Sequence, residues 1–323
     1  MVTPSPGERE VITVRGSIPP EEMGITQTHE HLLLDAMDHY GGYGYVIDDE
    51  DLVVEELAAF TRNGGRTICD PTVPEIGRDP AGLARISAAA GVHVIMGCGW
   101  YRAFGYPRDV EERTSSELAA ILVREIEHGV EETGIRAGFI GEIGTGRHHI
   151  LPAEERVFRA AALAQAATGV AVSTHTTRWG TLAAEQIDLL VEYGADPARI
   201  VVGHLGDRRG VHHLLPIAAR GVYLEVDNIG YLDYQPESVR ADNVAALVAE
   251  GFGDRVLLSE DICTLGHLAF NGGKGYGYLL EVFVPLLRQR GVSEEAVHHL
   301  LVTNPARAFS RAVRSHPSPE DTP

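Results

Sequence analysis

The chain has 323 residues, 44% of them hydrophobic and 23% charged, an ordinary balance for a soluble globular protein long enough to bury a sizeable core. Its formal net charge of −19 argues against nucleic-acid backbones and anionic membranes as partners, and no apolar run reaches the roughly 18 residues of a membrane span. The three cysteines, Cys69, Cys98 and Cys263, form no C-x-x-C pair, and residues 1–16 lack the basic and apolar stretches of a secretory signal, so reduced thiols and a cytoplasmic location are expected.

Residues 11–14 and the turn 17–22 read as a small β-hairpin. Short apolar, strand-like runs follow at 24–31, 66–72, 93–99, 137–144, 171–176, 200–205, 222–229 and 256–262. Amphipathic helical stretches alternate with them at 51–63, 82–90, 115–132, 153–168, 181–193, 210–219, 238–250 and 278–290. Gly64, Gly91, Gly134, Gly169, Gly194, Gly221 and Gly251 each stand just past a helix, where glycine is the usual stop signal. Eight such alternations predict an α/β fold of the (β/α)8 type, a TIM barrel. The competing doubly wound sheet would be expected to carry a glycine-rich G-x-G-x-x-G loop after an early strand, and none stands there. Residues 293–314 are expected to add a helical C-terminal extension and residues 315–323 a frayed tail. No linker divides the chain, so 1–323 reads as one domain.

In barrel enzymes the chemistry sits at the C-terminal ends of the strands. The first run ends in Thr28-His29-Glu30-His31. Side chains two apart on a strand share a side, so His29 and His31 aim together and Glu30 aims away. Alone, such a pair is weak evidence of a metal. The later strand ends decide the matter, because they carry Glu142, His175, His204 and Asp261 in turn. Taken singly, Glu142 reads as half of an ion pair, His175 and His204 as core histidines, and Asp261 as a cap. Taken together at one rim, they read as metal ligands, because a buried carboxylate without a partner costs several kcal/mol and a cation offsets that cost.

Six ligands exceed one tetrahedral zinc and suit two divalent cations about 3.5–4 Å apart. His29, His31 and Asp261 would hold one, His175 and His204 the other, with Glu142 shared and a deprotonated water as the second bridge. Zinc is the first expectation, and Mn, Co or Fe also suit imidazole and carboxylate. Asp261 is then the expected acid/base, passing the proton of the attacking water to the leaving group. The adjacent pairs His148-His149, His212-His213 and His298-His299 diverge and make poor chelates, while His267, in the loop after the last strand, is in reach of the rim.

These ordered motifs resemble the phosphotriesterase-related branch of the amidohydrolase superfamily. The matching pieces are Thr28-His29-Glu30-His31, Gly141-Glu142-Ile143-Gly144, Ser173-Thr174-His175-Thr176, Gly203-His204 and Ser259-Glu260-Asp261, with Asn271-Gly272-Gly273, Gly275-Tyr276-Gly277-Tyr278 and Asn304-Pro305 beyond them. The resemblance runs over roughly residues 10–310 and implies a binuclear metal centre in a (β/α)8 barrel, with the same six ligands. Phosphotriesterases proper and their lactonase relatives carry a carboxylated lysine on the fourth strand. Glu142 at that place resembles instead the phosphotriesterase homology proteins, a subgroup that includes ester- and amide-cleaving members. Gly97-Cys98-Gly99-Trp100-Tyr101 is similar to a lactonase pattern whose tyrosine faces the substrate, which makes Tyr101 a substrate-binding candidate. Asn228 stands where lactonases tend to have arginine, and Arg178 is a candidate binder of a substrate carboxylate. The implied function is hydrolysis of a carboxyl-derived bond in a small molecule. Organophosphate triester hydrolysis and metal binding without catalysis are the alternatives, and the family often forms homodimers.

Overall fold

Eight parallel strands lie side by side in chain order: β1 (Ile25–Gln27), β2 (Gly65–Asp70), β3 (His93–Cys98), β4 (Phe139–Gly144), β5 (Ala171–His175), β6 (Ile200–Val202), β7 (Tyr223–Val226) and β8 (Val256–Leu258). A helix follows each: α1 (Glu50–Arg62), α2 (Pro80–Ala90), α3 (Ser115–Glu127), α4 (Pro152–Thr168), α5 (Ala183–Glu192), the single turn α6 (Leu215–Ala218), α7 (Glu237–Ala249) and α8 (Val284–Gln289). This is the expected (β/α)8 barrel. The computed structural model describes residues 8–177 and 179–313, so Arg178 and the expected tail 315–323 lie outside the described residues. Among those described, no helix is long and apolar enough to cross a membrane, and all three cysteines are free thiols.

The sequence dictates two apolar layers. Strand residues facing outward pack under the helices, while Cys69, Ile95, Phe139, Ala171, Val201, Tyr223 and Leu257, one from each of β2 to β8, fill the interior. Val11, Met23 and Phe309 close that interior at its N-terminal end, where the ring of Phe309 meets Phe139 edge-on at 5.3 Å. The barrel is therefore a plugged cup, open only at the C-terminal ends of its strands.

Between β8 and β1 the wall is completed past the regular strands. The Asp261 amide donates to the His29 carbonyl (3.1 Å) and the His31 amide to the Ile262 carbonyl (3.2 Å). Glu30, aimed away from the cup as the alternation predicts, binds this seam from behind. Its Oε1 accepts from Ser259 Oγ (2.7 Å) and the Glu260 amide (2.6 Å), and its Oε2 from the Ile262 amide (2.8 Å).

Several expected bounds shift. The runs at 24–31, 200–205, 222–229 and 256–262 outlast their ladders by three to four residues, because at the rim backbone groups bond to side chains and loops. The 210–219 helix is a 3-10 turn, Val211–His213, followed by α6. The 278–290 helix opens with a π turn, Leu279–Phe283. The 293–314 extension is helical only to Phe309; Arg311–Ala312 then pairs as a strand with Arg9–Thr13, which also pairs with Gly16–Ile18, so the expected hairpin turns earlier than residue 17. The seven helix-stop glycines all have left-handed φ, between 64° and 93°.

Candidate metal centre

Five of the six rim residues, His31, Glu142, His175, His204 and Asp261, line the floor of a cavity of about 300 Å³, and His29 lies beneath it, 3.6 Å from Glu142. His29 is fully buried, and His31, Glu142 and His204 nearly so. The side chains of Asp261 and His175 keep 12% and 16% exposure on the cavity side, which makes them the two most accessible to a substrate. His204 and Asp261 adopt left-handed φ, 60° and 53°, an uncommon backbone for these residues that ends the extended run and turns each side chain inward.

Three imidazoles are oriented from behind. His29 Nδ1 donates to Glu225 Oε2 (3.1 Å), His204 Nδ1 to Asp227 Oδ1 (3.0 Å), and His31 Nδ1 to Thr72 Oγ1 (2.8 Å), whose own hydrogen goes to the Leu33 carbonyl (3.1 Å). Each ring thereby presents Nε2 to the cup, the arrangement usual behind metal-binding histidines. His175 is reversed: Nε2 meets the Tyr101 hydroxyl (3.2 Å), itself 2.5 Å from the Tyr40 hydroxyl, and Nδ1 faces Glu142 Oε2 (2.8 Å).

The donor spacing is that of a cation site. Asp261 Oδ1 lies 3.8 Å from His29 Nε2 and 3.6 Å from His31 Nε2, and Glu142 Oε2 lies 3.6 Å from His29 Nε2. These are too long for hydrogen bonds and match ligands sharing one ion with bonds of about 2.1 Å. His29 Nε2 is buried without a hydrogen-bond partner, a costly state that an ion relieves. On the other side His204 Nε2 meets His175 Nδ1 at 2.7 Å, closed to hydrogen-bond distance.

The electrostatics tell the same story. Burial pulls the His29 imidazole down, but Glu142, Glu225 and Asp261 outweigh it and lift its pKa to about 10. His204 is likewise raised well above the usual range, by Asp227 above all, against burial. Burial and the neighbouring His204 charge lower His175 to about 4. Glu142 stays ionised well below the normal carboxylate range, because His175 and His29 overcome its burial. Two groups of these side chains, His29 with Glu142 and His204, and His29 with His31 and Asp261, are spaced so that each could hold a metal ion.

Tyr101 lines the cavity as expected, and Asn228 borders it but donates Nδ2 to Asp207 Oδ2 (2.9 Å), a structural tie. His267 lies behind Tyr231, 3.1 Å from its hydroxyl. His148 and His149 are exposed. Sequence reading passed over Glu225 and Asp227, although two acids spaced by two in an apolar strand was a legible sign. It also passed over the aromatic wall of Tyr40, Tyr45, Tyr231 and Tyr234, and Arg102.

Comparison with known proteins agrees with this architecture. The phosphotriesterase family model matches residues 9–309. The phosphotriesterase homology protein of Escherichia coli is 37% identical over 88% of this chain and 98% of its own length. An N-acetyltaurine hydrolase of Danio rerio is 33% identical over 92% of this chain and 97% of its own. The crystal structure of a lactonase from Listeria monocytogenes superposes with a TM-score of 0.88 at 29% identity, covering 93% of this chain and 98% of that one. The chain belongs to the phosphotriesterase family and is a hydrolytic enzyme of the amidohydrolase superfamily.

Proposed function

We propose that the protein is a binuclear metal-dependent hydrolase that cleaves a carboxyl-derived bond, an amide, ester or lactone, in a small molecule. His29, His31 and Asp261 would hold one cation, His175 and His204 the other, and Glu142 both. The observation that carries this reading is the unsatisfied, fully buried His29 Nε2 with carboxylate oxygens 3.6 and 3.8 Å away. The cations, when bound, supply Lewis-acid polarisation of the scissile group and a water acidic enough to attack near neutral pH.

The chain's own residues do the rest. Glu225, Asp227 and Thr72 hold three rings in one tautomer, so that no reorganisation is needed during reaction. Asp261, on the cavity floor, accepts the proton of the attacking water at its carboxylate and returns it to the leaving group. In the metal-free protein burial, with Asp227 and Glu142, raises the Asp261 pKa well above the usual range, while His29 and His204 oppose them. Tyrosines wall off the cleft, whose 300 Å³ is at the small end for ligand pockets and favours a compact substrate. A glutamate at the shared position, together with relatives named for amide and lactone cleavage, favours acyl over phosphoryl substrates.

The test is a panel of small N-acetyl amides, acetyl esters, lactones and paraoxon, assayed on one preparation whose metal content is measured, before and after chelation. Turnover of an acyl substrate that vanishes with the metal and returns on reloading is the expected result. Paraoxon as the best substrate, or no metal-dependent turnover at all, overturns it.

A further inference from the structure

We infer that Arg102 is the anion-recognition residue of this cavity, and that the natural substrate carries a carboxylate or sulfonate separated from the bond that is cleaved. This rests on the hydrolase reading above and adds the chemistry of the substrate's second group.

Among the described residues lining the cavity, Arg102 is the only arginine or lysine. Its guanidinium lies 5.0 Å from the Phe104 ring centroid and 6.0 Å from that of Tyr101, and its Nε is buried with no hydrogen-bond partner. Among the described residues no carboxylate pairs with it. The fully buried guanidiniums, by contrast, are saturated with carboxylates. Arg240 binds Asp207 and Glu237, and Arg311 binds Glu10 and Glu127.

The backbone that carries it is held in place. Its neighbour Tyr101 is fixed at both backbone groups, the amide donating to Glu75 and the carbonyl accepting from the Gly144 amide at 2.6 Å. A Cβ at Gly144 would stand 3.0 Å from both Arg102 Cγ and His175 Cβ. The glycine therefore lets the arginine stem lie beside a residue of the metal cluster. Arg102 thus brings a guanidinium with no carboxylate partner among the described residues to the wall of the reactive pocket, a group suited to bidentate capture of an oxyanion. The cost of leaving such a group unpaired is recovered when the right substrate binds, and analogues lacking the anion are rejected.

The test uses metal-loaded enzyme and matched pairs: N-acetyl-β-alanine against N-acetyl-β-alaninamide, and 3-acetoxypropanoate against 3-acetoxypropanamide, followed by acetate release. Wild type should favour the charged member, chiefly through KM. Arg102→Ala should reduce that preference about 10- to 100-fold, Arg102→Lys less, and Arg102→Glu should shift it toward an ammonium analogue. Independently of turnover, propane-1-sulfonate should raise the melting temperature of wild type and not of Arg102→Ala. Absence of preference in wild type, or equal preference in wild type and Arg102→Ala, overturns the inference while leaving the hydrolase reading intact. Arg102-dependent protection by the sulfonate without turnover of either pair supports the anion site and counts against the acyl-hydrolase reading.

Discussion

Replacing Glu225 by glutamine separates a metal-orienting carboxylate from a structural one. Glu225 is fully buried, and its Oε2 accepts the His29 Nδ1 proton at 3.1 Å while Oε1 has no partner. The substitution keeps shape and an acceptor but removes the charge that polarises the imidazole. A hydrogen bond to a charged group contributes about 1.5–3 kcal/mol, and loss of such partners typically costs 10- to 100-fold in metal affinity, about 1.4–2.8 kcal/mol. The expected result is a 10- to 100-fold weaker dissociation constant for the cation bound by His29, measured by competition with a chromophoric chelator. The metal-free variant should still unfold cooperatively, so that the affinity change is read on folded protein. Unchanged affinity with a lowered melting temperature would mean that Glu225 braces the barrel, and the orientation argument would fall.

Three further outcomes are expected. Asp261→Asn should lower kcat by about 10²–10⁴-fold while elemental analysis finds most of the metal retained; near-wild-type kcat would remove Asp261 from the proton path. Arg240, fully buried, donates Nε to Asp207 (2.8 Å) and Nη2 to the Tyr231 carbonyl (2.9 Å), so Arg240→Ala strands a buried acid and should cost about 3–5 kcal/mol in urea unfolding. Glu75, pushed up to about 7 by burial, binds its proton more tightly folded than unfolded. Stability should therefore fall as pH rises from about 4.5 to about 7, by at most about 3 kcal/mol, and Glu75→Gln should flatten that slope; parallel slopes in both proteins would refute the assignment.

The barrel was legible because each parallel strand, buried on both faces, must be written as a short apolar run between amphipathic helices, and a polar residue in such a run stands out. Glu142 and His175 are visible for that reason. Residues 33–49 carry no such period. They form the short ladder of Leu34–Asp35 with Val46–Ile47 and the turn of helix Met37–Tyr40, held by stacking of Tyr40 on Tyr45 at 4.8 Å, which composition does not announce. Arg102 was equally hidden, because its meaning lies in the carboxylate it lacks, a property of space rather than of spacing. Asn228 illustrates the converse: position in the chain brought it to the cavity, but Asp207, distant in sequence, claims its amide.

The joint between β8 and β1 has a thermodynamic corollary. Three of the four backbone groups that latch it, on His29, His31 and Asp261, belong to residues proposed to share a single ion, with Glu30 as the rivet on the far side. Capturing that ion and locking the cylinder are then one coupled equilibrium. Stripping the ion should loosen the cylinder along this one line, with faster amide exchange at residues 259–262 than in the ladders opposite.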